Sequence, residues 1–162
     1  MVRLMTRGFD ALLLVIVANL APWAAGRVMQ ARWRAPLDGG AQLADGSRLL
    51  GDHKTWRGLA SGVLACALTA RLLRYPVPLG AGFGALALGA DAVSSFIKRR
   101  LGVRPGTEIP GLDQLPEALV PLLALSRPLG LGLTDAVAVA GAFMLLDLAS
   151  LRVRHPAVGA QR

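Results

Sequence analysis

The stretch VPLGAGFGALALGADAVSSFIKRR, residues 77–100, decides the fold. From Val77 to Ala90 it carries no charge and, extended to Ile97, it approaches the roughly 20 mostly apolar residues with which a helix crosses the hydrocarbon core of a bilayer. It then changes character. Asp91, Ser94, Ser95 and Lys98 recur at i, i+3, i+4 and i+7, so a helix carries all four on one face. At 1.5 Å of rise per residue, Asp91 lies about 10 Å along that helix from Lys98, within or just below the membrane interface. An ionisable group at that depth points to a functional site by default. The plain alternative is an ion pair of Asp91 with Lys98 or Arg99 that only satisfies a buried charge.

The rest of the chain shares this solvent. Of 162 residues 54% are hydrophobic and only 17% charged, with a mean hydropathy of +0.50, too apolar for a soluble globular domain of this size. Four further segments approach membrane length: Phe9 to Gly26, Leu59 to Leu73, Leu115 to Leu125 with a Pro-rich extension to Leu131, and Thr134 to Leu151. The Leu115 segment contains Pro116, Pro121 and Pro128, which remove backbone donors and predict a kinked, broken or shallow helix. Asn19 and Pro22 suit a first helix that faces other helices better than a cleavable leader. The expected fold class is all-α, a polytopic membrane protein of about five transmembrane helices forming one domain over residues 1–162. Cys66 is the single cysteine, so a disulfide framework and a cysteine metal site are both excluded.

A net charge of +8 would suggest nucleic acid in a soluble protein, but here the cations sort by loop. Arg27, Arg32, Arg34, Arg48, Lys54 and Arg57 lie between the first two spans, Lys98, Arg99, Arg100 and Arg104 between the third and fourth, and Arg152, Arg154 and Arg162 at the C-terminus. These are thirteen of the eighteen lysines and arginines. The positive-inside rule therefore places the N-terminus outside and two long loops and the C-terminus in the cytoplasm, and no nucleic-acid partner is expected.

Both loops carry residues beyond those a connection needs. The second runs from Lys98, Arg99 and Arg100 through Gly102, Pro105 and Gly106 to Asp113 beside Gln114, returning a second carboxylate to the membrane surface. Two acids beside three cations suit a phosphate ligand held through Mg²⁺, which takes oxygen ligands from one or two carboxylates plus substrate phosphates. The first loop holds Asp38, Gly39, Gly40, Asp45, Gly46 and Arg48, then the run Gly51 to Gly58. Glycines there let backbone amides approach an anion, and Lys54, Thr55 and Arg57 add donors just before a helix N-terminus. The run lacks the glycine frame of a Walker A loop. His53 is expected to be a polar loop residue, and Trp56 an interfacial anchor.

In order along the chain, Asn19 and Pro22, Pro36 to Gly39, Gly51 to Gly58, Asp91 to Arg100 and Pro105 to Gln114 resemble the CDP-archaeol synthase family, membrane cytidylyltransferases related to the phosphatidate cytidylyltransferases. Ser95, Lys98 and Arg99 with the later Asp113 are also similar to the phosphatidate cytidylyltransferase signature, whose second half is absent, which favours the archaeol branch. Ala90 departs from the family's usual glycine, and the helix beyond Leu131 carries no family motif. The resemblance implies an Mg²⁺-dependent transfer of CMP from CTP to a membrane lipid phosphate, such as 2,3-bis-O-geranylgeranylglycerol phosphate or a phosphatidate analogue, giving CDP-lipid and pyrophosphate. It implies that Asp91 and Asp113 bind the metal, with Lys98 joining them in catalysis. Lys54, Thr55, Arg57, Asp38 and Asn19 are then expected at the nucleotide, and Ser95, Arg99 and Arg100 at phosphate. The expected location is the cell membrane, with the site facing the cytoplasm and room for a homo-oligomer. Two other functions compete: a small ion or solute transporter using Asp91, Asp135 and Asp147, which lacks the inverted repeats of such folds, and a non-catalytic binder of anionic lipids.

Overall fold

Small residues let two of the helices approach backbone to backbone. In this computed structural model, which describes residues 2–104, 107 and 109–154, α2 (Trp56–Leu72) runs antiparallel to α3 (Val77–Arg100). A Cβ on Gly84 would stand 2.9 Å from the Val63 Cα and 3.0 Å from the Gly62 carbonyl oxygen, so only glycine permits this seam. Pro105, Gly106 and Arg162 lie outside the described residues, as do the side chains of Arg3, Arg152 and Arg154.

The remaining helices are α1 (Val2–Met29), α4 (Gln114–Ala124), α5 (Ser126–Leu129) and α6 (Leu133–Arg154). No strand forms among the described residues; the first loop holds two isolated bridges, Pro36 with Thr55 and Gln42 with Arg48. Leu14, Phe83, Leu122, Leu129 and Cys66 are fully buried where α1, α2, α3, α4 and α5 meet. At the end of the bundle opposite the long loops, Tyr75 donates to Asp10 at 3.2 Å and Arg7 to the Gly130 carbonyl at 3.3 Å.

Helix ends extend past the expected apolar limits because flanking Arg, Lys and Thr continue a helix without penalty outside the hydrocarbon. Thus α1 begins before Phe9 and α3 runs on to Arg100. The Pro-rich segment is broken, as its prolines predict: α4 stops at Ala124, whose carbonyl Pro128 cannot serve, and the four-residue α5 follows. Among the described residues, three helices are long and apolar enough to cross a membrane, over Thr6–Met29, Val77–Arg100 and Leu133–Ser150. The 17 residues of α2 give about 26 Å, a little short of the core thickness.

Candidate active site

Loop folding comes first, because it decides which charges remain free for chemistry. Asp38 is the hub of the first loop. Its carboxylate accepts from the amides of Gly40 and Leu50 at 3.0 Å and of Gly51 at 3.2 Å, and from the Arg48 guanidinium at 2.8 Å. Burial alone would raise this carboxyl, but Arg48 and then the three amides outweigh it and hold Asp38 well below the usual carboxylate range. Arg48 also pairs with Asp52 at 2.6 Å. From the end of α3, Arg100 donates to Ser47 at 2.7 Å, the Arg48 carbonyl at 3.1 Å and Asp45 at 3.2 Å, clamping the loop to the bundle.

The same loop delivers the start of α2. Thr55 is its N-cap, with Oγ1 accepting from the Gly58 amide at 3.1 Å. Arg57 donates to the carbonyls of Gln30 and Arg32, each at 2.8 Å, and so ties α2 to the end of α1. Lys54, one residue before the cap, points the other way and pairs with Asp91 of α3.

That pair stands in the wall of a cavity of about 560 Å³ at the loop end of the bundle. Asn19 of α1, Lys54 and His53 of the loop, Asp91, Ser95, Lys98 and Arg99 of α3, and Asp113 at the head of α4 all line it. The i, i+4, i+7 face of α3 therefore does point inward. Lys98 pairs with Asp113 at 2.5 Å and donates to the Thr107 carbonyl at 3.1 Å. The plain ion-pair alternative is corrected in its partner: Asp91 meets Lys54, brought in by the loop, rather than Lys98 or Arg99 on its own helix.

Of the expected site residues, Asn19, Lys54, Asp91, Ser95, Lys98, Arg99 and Asp113 share this cavity; Asp38, Thr55, Arg57 and Arg100 do not line it and make the loop and capping contacts above. Thr55 and Arg57 instead border an adjoining cleft with Arg27 and Arg34. Gln114, Glu117 and Asp147 also line the cavity, none of them expected at the nucleotide, the phosphate or the metal. Gln114 accepts from the Gly111 amide at 3.0 Å and donates to Asp147 of α6 at 2.9 Å. Glu117, one turn further along α4, is buried within electrostatic reach of Asp91, Lys54, Asp147 and Asp113. An acid inside a segment of membrane length was the available signal for Glu117 and Asp147.

Arg99 is the most telling group. It is only 9% exposed and donates to the Arg104 carbonyl at 3.1 Å, while its Nε and second terminal nitrogen are buried with no hydrogen-bond partner among the described residues. A buried guanidinium left with free donors is costly unless an anion completes it. The metal question has a similar answer. No group of three or more His, Cys, Asp or Glu among the described residues is close enough to hold a metal ion alone. Asp91 and Asp113 offer hard oxygens, which fits a divalent cation such as Mg²⁺ that draws its other ligands from substrate phosphates and water.

A family model described as CDP-archaeol synthase, CarS-like, matches residues 2–79 and 74–149. The chain is 41% identical over 157 residues to a CDP-archaeol synthase of Aeropyrum pernix, covering 87% of this chain and 83% of that one. To a CDP-archaeol synthase of Halorubrum lacusprofundi it is 40% identical over 138 residues, covering 75% and 73%. A solved structure described as an intramembrane enzyme for archaeal membrane lipids biosynthesis matches with a TM-score of 0.70 at 38% identity, covering 87% of this chain and 90% of that one.

Proposed function

The chain belongs to the CDP-archaeol synthase family, and from that premise we propose that the cavity transfers CMP from CTP to a membrane lipid phosphate. A phosphate oxygen of the lipid attacks the α-phosphorus of CTP, the bond to the β-phosphate oxygen breaks, and pyrophosphate leaves with the electron pair. No side chain needs to act as a nucleophile. The protein's work is positioning and charge neutralisation, which dominate phosphoryl-type transfers.

The observation that carries this reading is the buried Arg99, whose Nε and second terminal nitrogen have no partner among the described residues, set beside Lys54 and Lys98 in one cavity. Arg99, Lys98 and Ser95 suit the phosphates, while Lys54 and Asn19 suit the nucleotide. Asp91 and Asp113 would hold Mg²⁺, which supplies neutralisation of phosphate charge. Both carboxylates are engaged by lysines here; were they to hold the cation, Lys54 and Lys98 would be available to phosphate. Asp38, Thr55, Arg57 and Arg100 serve by fixing the loop that carries Lys54.

The topology proposed is five crossings, with α4 and α5 together making the fourth, the N-terminus outside and the cavity on the cytoplasmic side. The contact of Arg7 with Gly130 supports it, since α4 and α5 then carry the chain from the cavity to the far end of the bundle. Cytosine-labelled CTP tests the function: purified protein in detergent should place label in lipid only when a lipid phosphate is supplied. Absence of lipid label across ether-isoprenoid and ester-acyl phosphates would overturn it.

A further inference from the structure

The cavity has a charged floor but an apolar rim, and the rim is supplied by two helices, α1 and α6. At their outer ends α1 and α6 touch, with Gly8 facing Val139 and Ala11, Leu14, Ala136, Val139 and Ala140 buried. Towards the loop end the two helices line the cavity instead, through Ile16, Leu20 and Trp23 on α1 and Phe143 and Leu146 on α6. Leu20, Trp23 and Leu146 are 50%, 51% and 52% exposed. A side chain that lines a cavity and is half-exposed stands at its mouth, and these lie within helices long and apolar enough to cross the bilayer.

We propose that this fork between the inner halves of α1 and α6 is the lateral port through which the lipid phosphate reaches the cavity, its hydrocarbon chains remaining in the bilayer; this rests on reading the cavity as the transfer site. Size favours it. A volume of about 560 Å³ is that of a pocket for one small molecule, so the long chains of a membrane lipid stay outside. Polarity favours it too. An amphiphile entering here passes its phosphate to Lys98 and Arg99 while its chains lie against Leu20 and Leu146, and Trp23, with Arg27 stacked 5.1 Å from its ring centroid, marks the interface. Between α2 and α3 the close backbone approach at Gly84 leaves no comparable gap.

The test narrows the mouth. In proteoliposomes, Leu20→Trp and Leu146→Trp should each raise the KM for a long-chain lipid phosphate by about tenfold and leave the KM for CTP unchanged. Leu68→Trp on α2, 67% exposed and away from the cavity, controls for bulk at a lipid-facing site and should change neither. Unchanged lipid KM in both rim variants, with folded protein and an active wild type, overturns the port. An equal rise in the CTP KM also overturns it, because the rim would then belong to the nucleotide. A wild type that labels no lipid at all defeats the transfer reading itself.

Discussion

Among the described residues Arg99 has two buried donors without a partner, an arrangement that is costly unless an anion completes it. Replacing it tests this in two directions at once. Arg99→Gln should lower kcat/KM for CTP by roughly a hundredfold, the scale of losing one charged contact to a reacting phosphate, while thermal stability holds or rises, because a buried cation with free donors has been removed. A variant that loses stability and activity together would assign Arg99 a structural role. The conservative Arg99→Lys should recover little, since an ammonium cannot reproduce the planar fork of donors. At this scale the sequence was informative where a charge stood inside or at the end of a span, as at Asp91 and Lys98. For Glu117 the signal was incomplete, because an acid beside Pro116 in a segment already expected to break carried no periodicity to place it on the cavity face.

Among elements, the first loop and the α2–α3 seam divide the labour between precision and rigidity. The loop is organised by Asp38, which makes its order pH-dependent in a definite direction. A carboxyl whose folded pKa is depressed contributes stability fully present above its unfolded value of about 3.9 and lost as pH falls through the lower folded value. Limited proteolysis of the loop should therefore stay constant down to about pH 4 and increase only in stronger acid. Asp38→Asn should expose the loop at neutral pH and weaken CTP binding without touching the cavity wall. In the seam, Gly84→Leu would drive a side chain into the Val63 backbone, 2.9 Å from where its Cβ would lie, and should destabilise by about 1–3 kcal/mol in a thermal melt. The helices themselves were legible from length and apolarity, and the break at Leu125 from its prolines. The work of Asp38, Thr55, Arg57 and Arg100 was not, since a Gly- and charge-rich loop signals anion binding equally whether its groups face a ligand or each other. Only the folded loop shows that Arg48 and three amides occupy Asp38, and that Lys54 alone of the Lys54–Arg57 run turns to Asp91.

For the whole molecule, the proposed orientation and the proposed site rest on one distribution of charge. The cations of both loops gather where the carboxylates of Asp91 and Asp113 stand, so the orientation rule and the chemistry predict the same face. Single cysteines report this directly: at Gln42 in the first loop an impermeant maleimide should react only from the cytoplasmic side, and at Arg74, between α2 and α3, only from outside. The native Cys66 is buried and does not interfere. Reaction at both positions from one side would contradict the crossing by α2, and with it the proposed topology. The central claim, that this cavity couples CTP to a lipid phosphate through Asp91, is tested most directly by pyrophosphate release. Purified wild-type protein should release pyrophosphate from CTP only when both Mg²⁺ and a lipid phosphate are present, and folded Asp91→Asn should release it at least about a hundredfold more slowly. Full turnover by Asp91→Asn would contradict the account.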